Sequence, residues 1–140
     1  MPKLMFIGLD AADKDVMNQW AEEGLLPTWK RLQETGLTGT TESPLGFYVG
    51  AIWPSFYTGV NPARHGHHCW EQLEPGSYEV RRYLAGNHVT HEPFWEALSR
   101  AGIRSTILDV PLCGPTRNLH GVQVIEWGCH DPDLGLMSVP

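Results

Sequence analysis

The sequence predicts an α/β protein built on a mainly parallel sheet wound with helices. Three observations predict it. The run Leu4-Met5-Phe6-Ile7-Gly8-Leu9 is apolar nearly throughout rather than alternating, as expected of a parallel strand covered on both faces. Strand-like and helix-like segments then alternate along the chain, which is the pattern of strands joined by covering helices. The first strand also stops at a carboxylate, Asp10, and in open α/β sheets ligands bind outside the carboxyl ends of the strands.

The elements follow in order. Lys3 to Leu9 is the first strand. Asp13 is placed to cap a helix whose Val16, Met17, Trp20 and Ala21 share a face, and Gly24 stops it. Pro27 opens a second helix that turns Trp29 and Leu32 inward and ends at Gly36. Threonine-rich Leu37 to Glu42 reads as a short strand, and Ser43 to Gly50 as a loop punctuated by Pro44 and Gly46. Ile52 to Thr58 fits a short helix with Pro54 in its first turn, and Asn61 to Gly66 is turn chemistry.

Cys69 to Leu73 and Tyr78 to Tyr83 flank Glu74-Pro75-Gly76-Ser77, which predicts a β-hairpin inserted at 69–83. Thr90 is expected to cap a helix with Pro93 in its first turn, Phe94, Ala97, Leu98 and Ala101 facing the core, and Gly102 as terminator. Ile103 to Val110 and Val122 to Trp127 are strands, the first closed by Pro111. The tail from Gly128 to Pro140 carries no helix signal that would cover the last strand. That predicts the N-terminal part of a larger domain spanning 1–140, or a sheet completed by another chain through self-association.

Composition narrows the function classes. A chain of 140 residues with 41% hydrophobic and 19% charged residues is expected to fold as one modest domain. Six tryptophans point to a well-filled core or an aromatic-lined cleft. A net charge of −6 argues against a nucleic-acid or anionic-membrane binder, which needs a basic face. It leaves a phosphate ester open as substrate, because a bound metal reverses the local field. Cys69, Cys113 and Cys129 are odd in number and widely spaced, unlike a disulfide framework or a metal knuckle. With no apolar stretch long enough to span a bilayer, the expected location is cytoplasmic.

The G-x-G-x-x-G, Walker A, H-E-x-x-H and G-x-S-x-G motifs are absent. Three other segments carry the signal. They are Gly8-Leu9-Asp10 ahead of a helix; Trp53-Pro54-Ser55-Phe56-Tyr57-Thr58-Gly59-Val60-Asn61-Pro62-Ala63-Arg64-His65-Gly66; and Pro93 to Gly102 leading into Ile107-Leu108-Asp109-Val110-Pro111. Together they resemble the start of the alkaline phosphatase superfamily, in its type I phosphodiesterase/nucleotide pyrophosphatase branch. The second segment is the specific one, and the resemblance covers nearly the whole chain.

The resemblance implies an alkaline-phosphatase-like fold and hydrolysis of phosphate mono- or diesters or nucleotides. It also implies two divalent metals, zinc or alternatively manganese, that activate a threonine or serine nucleophile and neutralise the phosphate. Asp10 matches the first metal-binding aspartate by position. From the residues alone Asp10 has two readings, a metal ligand at a strand end or a cap for the following helix.

At the nucleophile the chain departs from the family. The ungapped position holds Val49, which has no hydroxyl. Adjacent Tyr48 offers a phenol. Ser55 lies further along with Thr58, where helix hydroxyls commonly bond backward to the chain. Tyr48 and Ser55 are therefore the candidate catalytic residues, and this chain alone is expected not to turn over esters. The second functional reading is a non-catalytic fragment or degenerate relative acting as a binding module. His65 reads as a structural loop residue, His67 and His68 lack partners at metal-ligand spacing, and His130-Asp131 follows a strand end. Arg64 and the Tyr78 to Tyr83 hairpin, with Arg81 and Arg82, read as solvated surface.

Overall fold

The structure, a computed structural model, describes residues 4–43, 49–82, 88–125, 127 and 137–139. The chain divides into two compact units, Met1–Thr41 and Glu42–Pro140.

The first unit is a pair of helices, α1 (Lys14–Glu22) and α2 (Pro27–Thr35). The Asp13 side chain caps α1 by accepting from the amides of Asp15 and Val16. Gly24, at φ +78°, makes the left-handed exit. Asn18 accepts from the Trp29 indole at 3.4 Å and from Gln33 at 2.9 Å, which ties the two helices together.

Two expected strands do not form in the described residues. The run from Leu4 to Leu9 and the segment 37–42 lie in no strand. Leu4, Met5, Phe6, Ile7 and Leu9 are 57–81% exposed. The apolar pattern had marked a segment that gains from burial. A strand also needs a hydrogen-bonding partner, and that is non-local information.

The second unit opens with a 3-10 turn, Val49–Ala51, running into α3 (Ile52–Thr58) at the predicted bounds. What read as a turn at 61–66 is a one-turn helix, α4 (Pro62–His65), capped by Asn61 and ended by Gly66. The hairpin is present as β1 (Glu71–Leu73) antiparallel to β2 (Val80–Arg82). Helix α5 (Phe94–Arg100) begins after Pro93, and Thr90 does not cap it. Thr90 instead donates its amide to the His65 carbonyl and its hydroxyl to the Arg64 carbonyl. Those contacts hold the entry to α5 against α4, so the hydroxyl is already committed.

Strand β3 (Ser105–Leu108) pairs parallel with β4 (Gly121–Ile125), and β5 (Met137–Val139) pairs antiparallel with β4. The tail thus supplies a strand where none was expected. The described residues form mixed helices with two small sheets, and β3–β4 is the parallel pair among them. Gly121, at φ +155°, is required there, since a Cβ would sit 1.7 Å from the Ser105 carbonyl oxygen.

The core of this unit joins Tyr57 of α3, Trp95 of α5, Ile107 of β3 and Cys113. Trp53 and Phe94 pack on it, and the Tyr57 and Trp95 rings lie 5.7 Å apart. Each large apolar side chain buried there contributes about 1.5–3 kcal/mol. The Tyr57 hydroxyl donates to the Leu112 carbonyl, and a chain of bonds runs through the other polar groups beside Trp95. The Trp95 indole donates to Thr116 Oγ1, the Thr116 amide to Gln123 Oε1, and Gln123 Nε2 to the Gly114 carbonyl. Of the tryptophans, Trp95 is the one in this buried core; Trp20, Trp70 and Trp127 are each more than two-fifths exposed.

Candidate functional site

Asp10 sits exposed in a turn with Ala11, whose φ of +53° is left-handed and costly for a residue with a Cβ. The capping alternative for Asp10 falls away, because both amides at the start of α1 go to Asp13 at 2.9 Å. The chain therefore spends one aspartate on the helix and places another three residues earlier, at the end of the apolar run. Among the described residues, no three histidine, cysteine or carboxylate side chains converge as a cation site. One carboxylate does not hold a divalent ion by itself, so these residues do not complete a metal centre.

The specific motif, Trp53 to Gly66, forms α3 from that helix's second residue onward and α4, directly after the 3-10 turn. Pro54 suits the first turn of α3, and Gly59, at φ +69°, ends it. Asn61 caps α4 with its side chain on the Arg64 amide, and Pro62 takes the first helical position. Gly66, at φ +82°, turns the chain out. This local chemistry brings His65 back onto Ser55.

Ser55 and His65 form a defined pair. The Ser55 hydroxyl donates backward to the Ala51 carbonyl at 2.7 Å, and its Oγ lies 3.0 Å from His65 Nε2. His65 Nδ1 accepts from the His67 amide at 3.2 Å. An Nδ1 that accepts leaves the proton on Nε2, so His65 donates to Ser55. A general base needs a free lone pair facing the hydroxyl, and this tautomer has none there. His65 is fully buried, and desolvation first, then His91 and His68, lowers its pKa and keeps it neutral. The pair acts as a clasp between α3 and α4. Thr58 likewise bonds backward, to the Pro54 carbonyl at 2.6 Å.

The remaining candidates are placed as follows. Tyr48 lies outside the described residues, as do Cys129, His130 and Asp131. Val49 opens the 3-10 turn. Arg81 forms ion pairs with Glu74 and Glu79 on the exposed hairpin, and Tyr78 is fully exposed. Cys69 and Cys113 are free thiols. Burial pushes the Cys113 thiol up to about 12, so it stays protonated and unreactive near neutral pH. A cleft beside it is lined by His91, Glu92, Glu96 and Thr116, and its carboxylates make it a poor seat for a phosphate ester.

Sequence reasoning had not found the Ser55–His65 contact or the proximity of His67 to His88, whose ring centroids are 5.9 Å apart. The only advance sign of the first was the Asn-Pro start and Gly stop around His65, which close a single helical turn.

Comparison with known proteins adds the following. The family model described as type I phosphodiesterase / nucleotide pyrophosphatase matches residues 4–134. No curated protein and no solved structure matches significantly.

Replacing Ser55 with alanine removes the donor to Ala51 and strands the buried Nε2–H of His65. The expected loss is about 1–3 kcal/mol of stability. It is read as a lower urea midpoint with an unchanged slope, and an unchanged midpoint would contradict the clasp.

Proposed function

The chain belongs to the type I phosphodiesterase/nucleotide pyrophosphatase family, and from that premise we propose metal-dependent hydrolysis of phosphate mono- or diesters, nucleotides included, on an alkaline-phosphatase-like fold. The observation that carries the reading is the place of Asp10 directly after the apolar run Leu4 to Leu9, where it matches the family's first metal-binding aspartate by position. Zinc is the proposed metal, with manganese as the alternative. Cytoplasmic residence is proposed on the free thiols, which suit a reducing compartment. Among the described residues no helix is long and apolar enough to cross a membrane.

Tyr48 and Ser55 are the proposed nucleophile candidates. Commitment of the Ser55 hydroxyl to Ala51, with His65 donating to its oxygen, favours Tyr48. A phenol with an ordinary pKa near 10 needs strong activation to attack at neutral pH. The competing reading, a binding module without turnover, rests on the valine at position 49.

Nitrophenyl mono- and diesters test the proposal, with zinc, manganese or magnesium and then with chelator. The chain by itself is expected to release no nitrophenol but to bind the ester in a metal-dependent way, by calorimetry. Binding that is indifferent to metal and chelator contradicts the hydrolase-type site. Chelator-sensitive release lost in Tyr48→Phe overturns the expected silence and names the phenol. Release that survives Tyr48→Phe but not Ser55→Ala names the serine.

Self-association is proposed through exposed apolar surface. Leu4 to Leu9 and, separately, Leu108 and Val122 of the β3–β4 pair present it to solvent. Sedimentation at rising concentration is expected to show oligomers that bind a hydrophobic dye; a dye-silent monomer contradicts this.

A further inference from the structure

His67 is fully buried, and neither of its ring nitrogens has a hydrogen-bond partner among the described residues. Burying an unsatisfied polar group is costly, and such groups in a folded protein call for a reason. Its surroundings supply one. A Cβ built on Gly50 would lie 3.4 Å from His67 Nε2, so the ring sits directly beneath the Val49–Ala51 turn. It also meets the His88 ring edge-on, with centroids 5.9 Å apart. His88 Nε2 lies 3.0 Å from the Gly66 carbonyl oxygen and from Gln72 Nε2; the neutral nitrogen either donates to the first, at the end of α4, or accepts from the second, on β1. His65 is fully buried next to them and clasps Ser55 and, through it, Ala51.

We propose that His65 and His67, packed with His88 beneath the Val49–Ala51 turn, form an acid-sensitive lock: neutral, the two hold the turn against α4, and protonated, they release it. The proposal rests on the reading above only in treating this turn as the one beside the reacting position.

Three features make the lock work. Protonating His65 puts a proton on Nδ1, where the His67 amide already points, and removes that bond. Protonating His67 places a charge where, among the described residues, neither ring nitrogen has a partner. The ionisable groups that act on His67 are His88, His65 and His68, and those that act on His65 are His91 and His68. Among the described residues all of these are histidines, and their proximity works against a charge on His65 and His67.

The direction of the pH dependence follows. Desolvation first, and then the neighbouring histidines, lower His67 to about 4 from an ordinary 6.5. The opened state takes up protons as pH falls below 6.5, while the closed state resists until about 4. Stability of the closed turn is complete above the ordinary histidine range and drains away between those limits.

Amide hydrogen exchange on the full chain, without metal or ester, tests the lock independently of any hydrolase activity. Protection factors for Gly50 to Tyr57 are expected to fall by about tenfold or more between pH 6.5 and 4.5, while Ile107 and Gln123 in β3–β4 keep theirs. His67→Phe is expected to flatten the fall at Gly50 to Tyr57, and His88→Gln to reduce it. The second variant carries the test if the first does not fold. Protection that stays constant over that range, that falls equally in both variants, or that falls in step with β3–β4 overturns the proposal.

Discussion

The second unit depends on a chain of four hydrogen-bonding groups that ties the 3-10 turn, α3 and the end of α4 together. The His67 amide donates to His65 Nδ1, His65 Nε2 donates to Ser55 Oγ, and the Ser55 hydroxyl donates to the Ala51 carbonyl. Every proton direction along it is fixed by the first, because a backbone amide can only donate. It therefore sets one tautomer of one buried imidazole, and through it the place of the 3-10 turn relative to α3 and α4. The Thr90 bonds to the Arg64 and His65 carbonyls extend the same junction toward α5 and the aromatic core. A serine and a histidine 3.0 Å apart resemble a nucleophile and its base. The proton bookkeeping makes them a fastening instead.

Helices were the legible part of the fold. Asp13, Pro27 and Gly36, Asn61 and Pro62, and Gly102 are local signals whose effect is felt within one or two turns, and the structure uses them as read, apart from closing a full helical turn at 62–65. Thr90 is the exception, and the reason is tertiary: its hydroxyl faces the α4 carbonyls. Strands were less legible. β3 and β4 were found because both partners have strong apolar patterns; the run from Leu4 to Leu9 has the pattern and lies in no strand, and β5 arises in a tail where no strand was expected. Pairing is decided by a distant segment, which a local pattern does not contain.

The candidate site divides in the same way. The place of Asp10 after the apolar run was legible with two readings, ligand or helix cap; the hydrogen bonds give the cap to Asp13, while the run itself forms no strand for Asp10 to end. The backward bonds of Ser55 and Thr58 follow from helix chemistry that is visible in sequence. The edge-on contact of His67 with His88 was not legible, since twenty-odd residues and a hairpin separate them, and histidine spacing carries no rule for such a contact.

The account turns on Asp10 being a metal ligand in a family of phosphate-ester hydrolases. The most direct measurement is calorimetric titration of the full chain and of Asp10→Asn with zinc and with manganese. The account predicts binding that the substitution weakens by about tenfold or more, the scale seen when a metal's supporting groups are lost. Equal affinity in the two proteins would contradict it and remove Asp10 from the site.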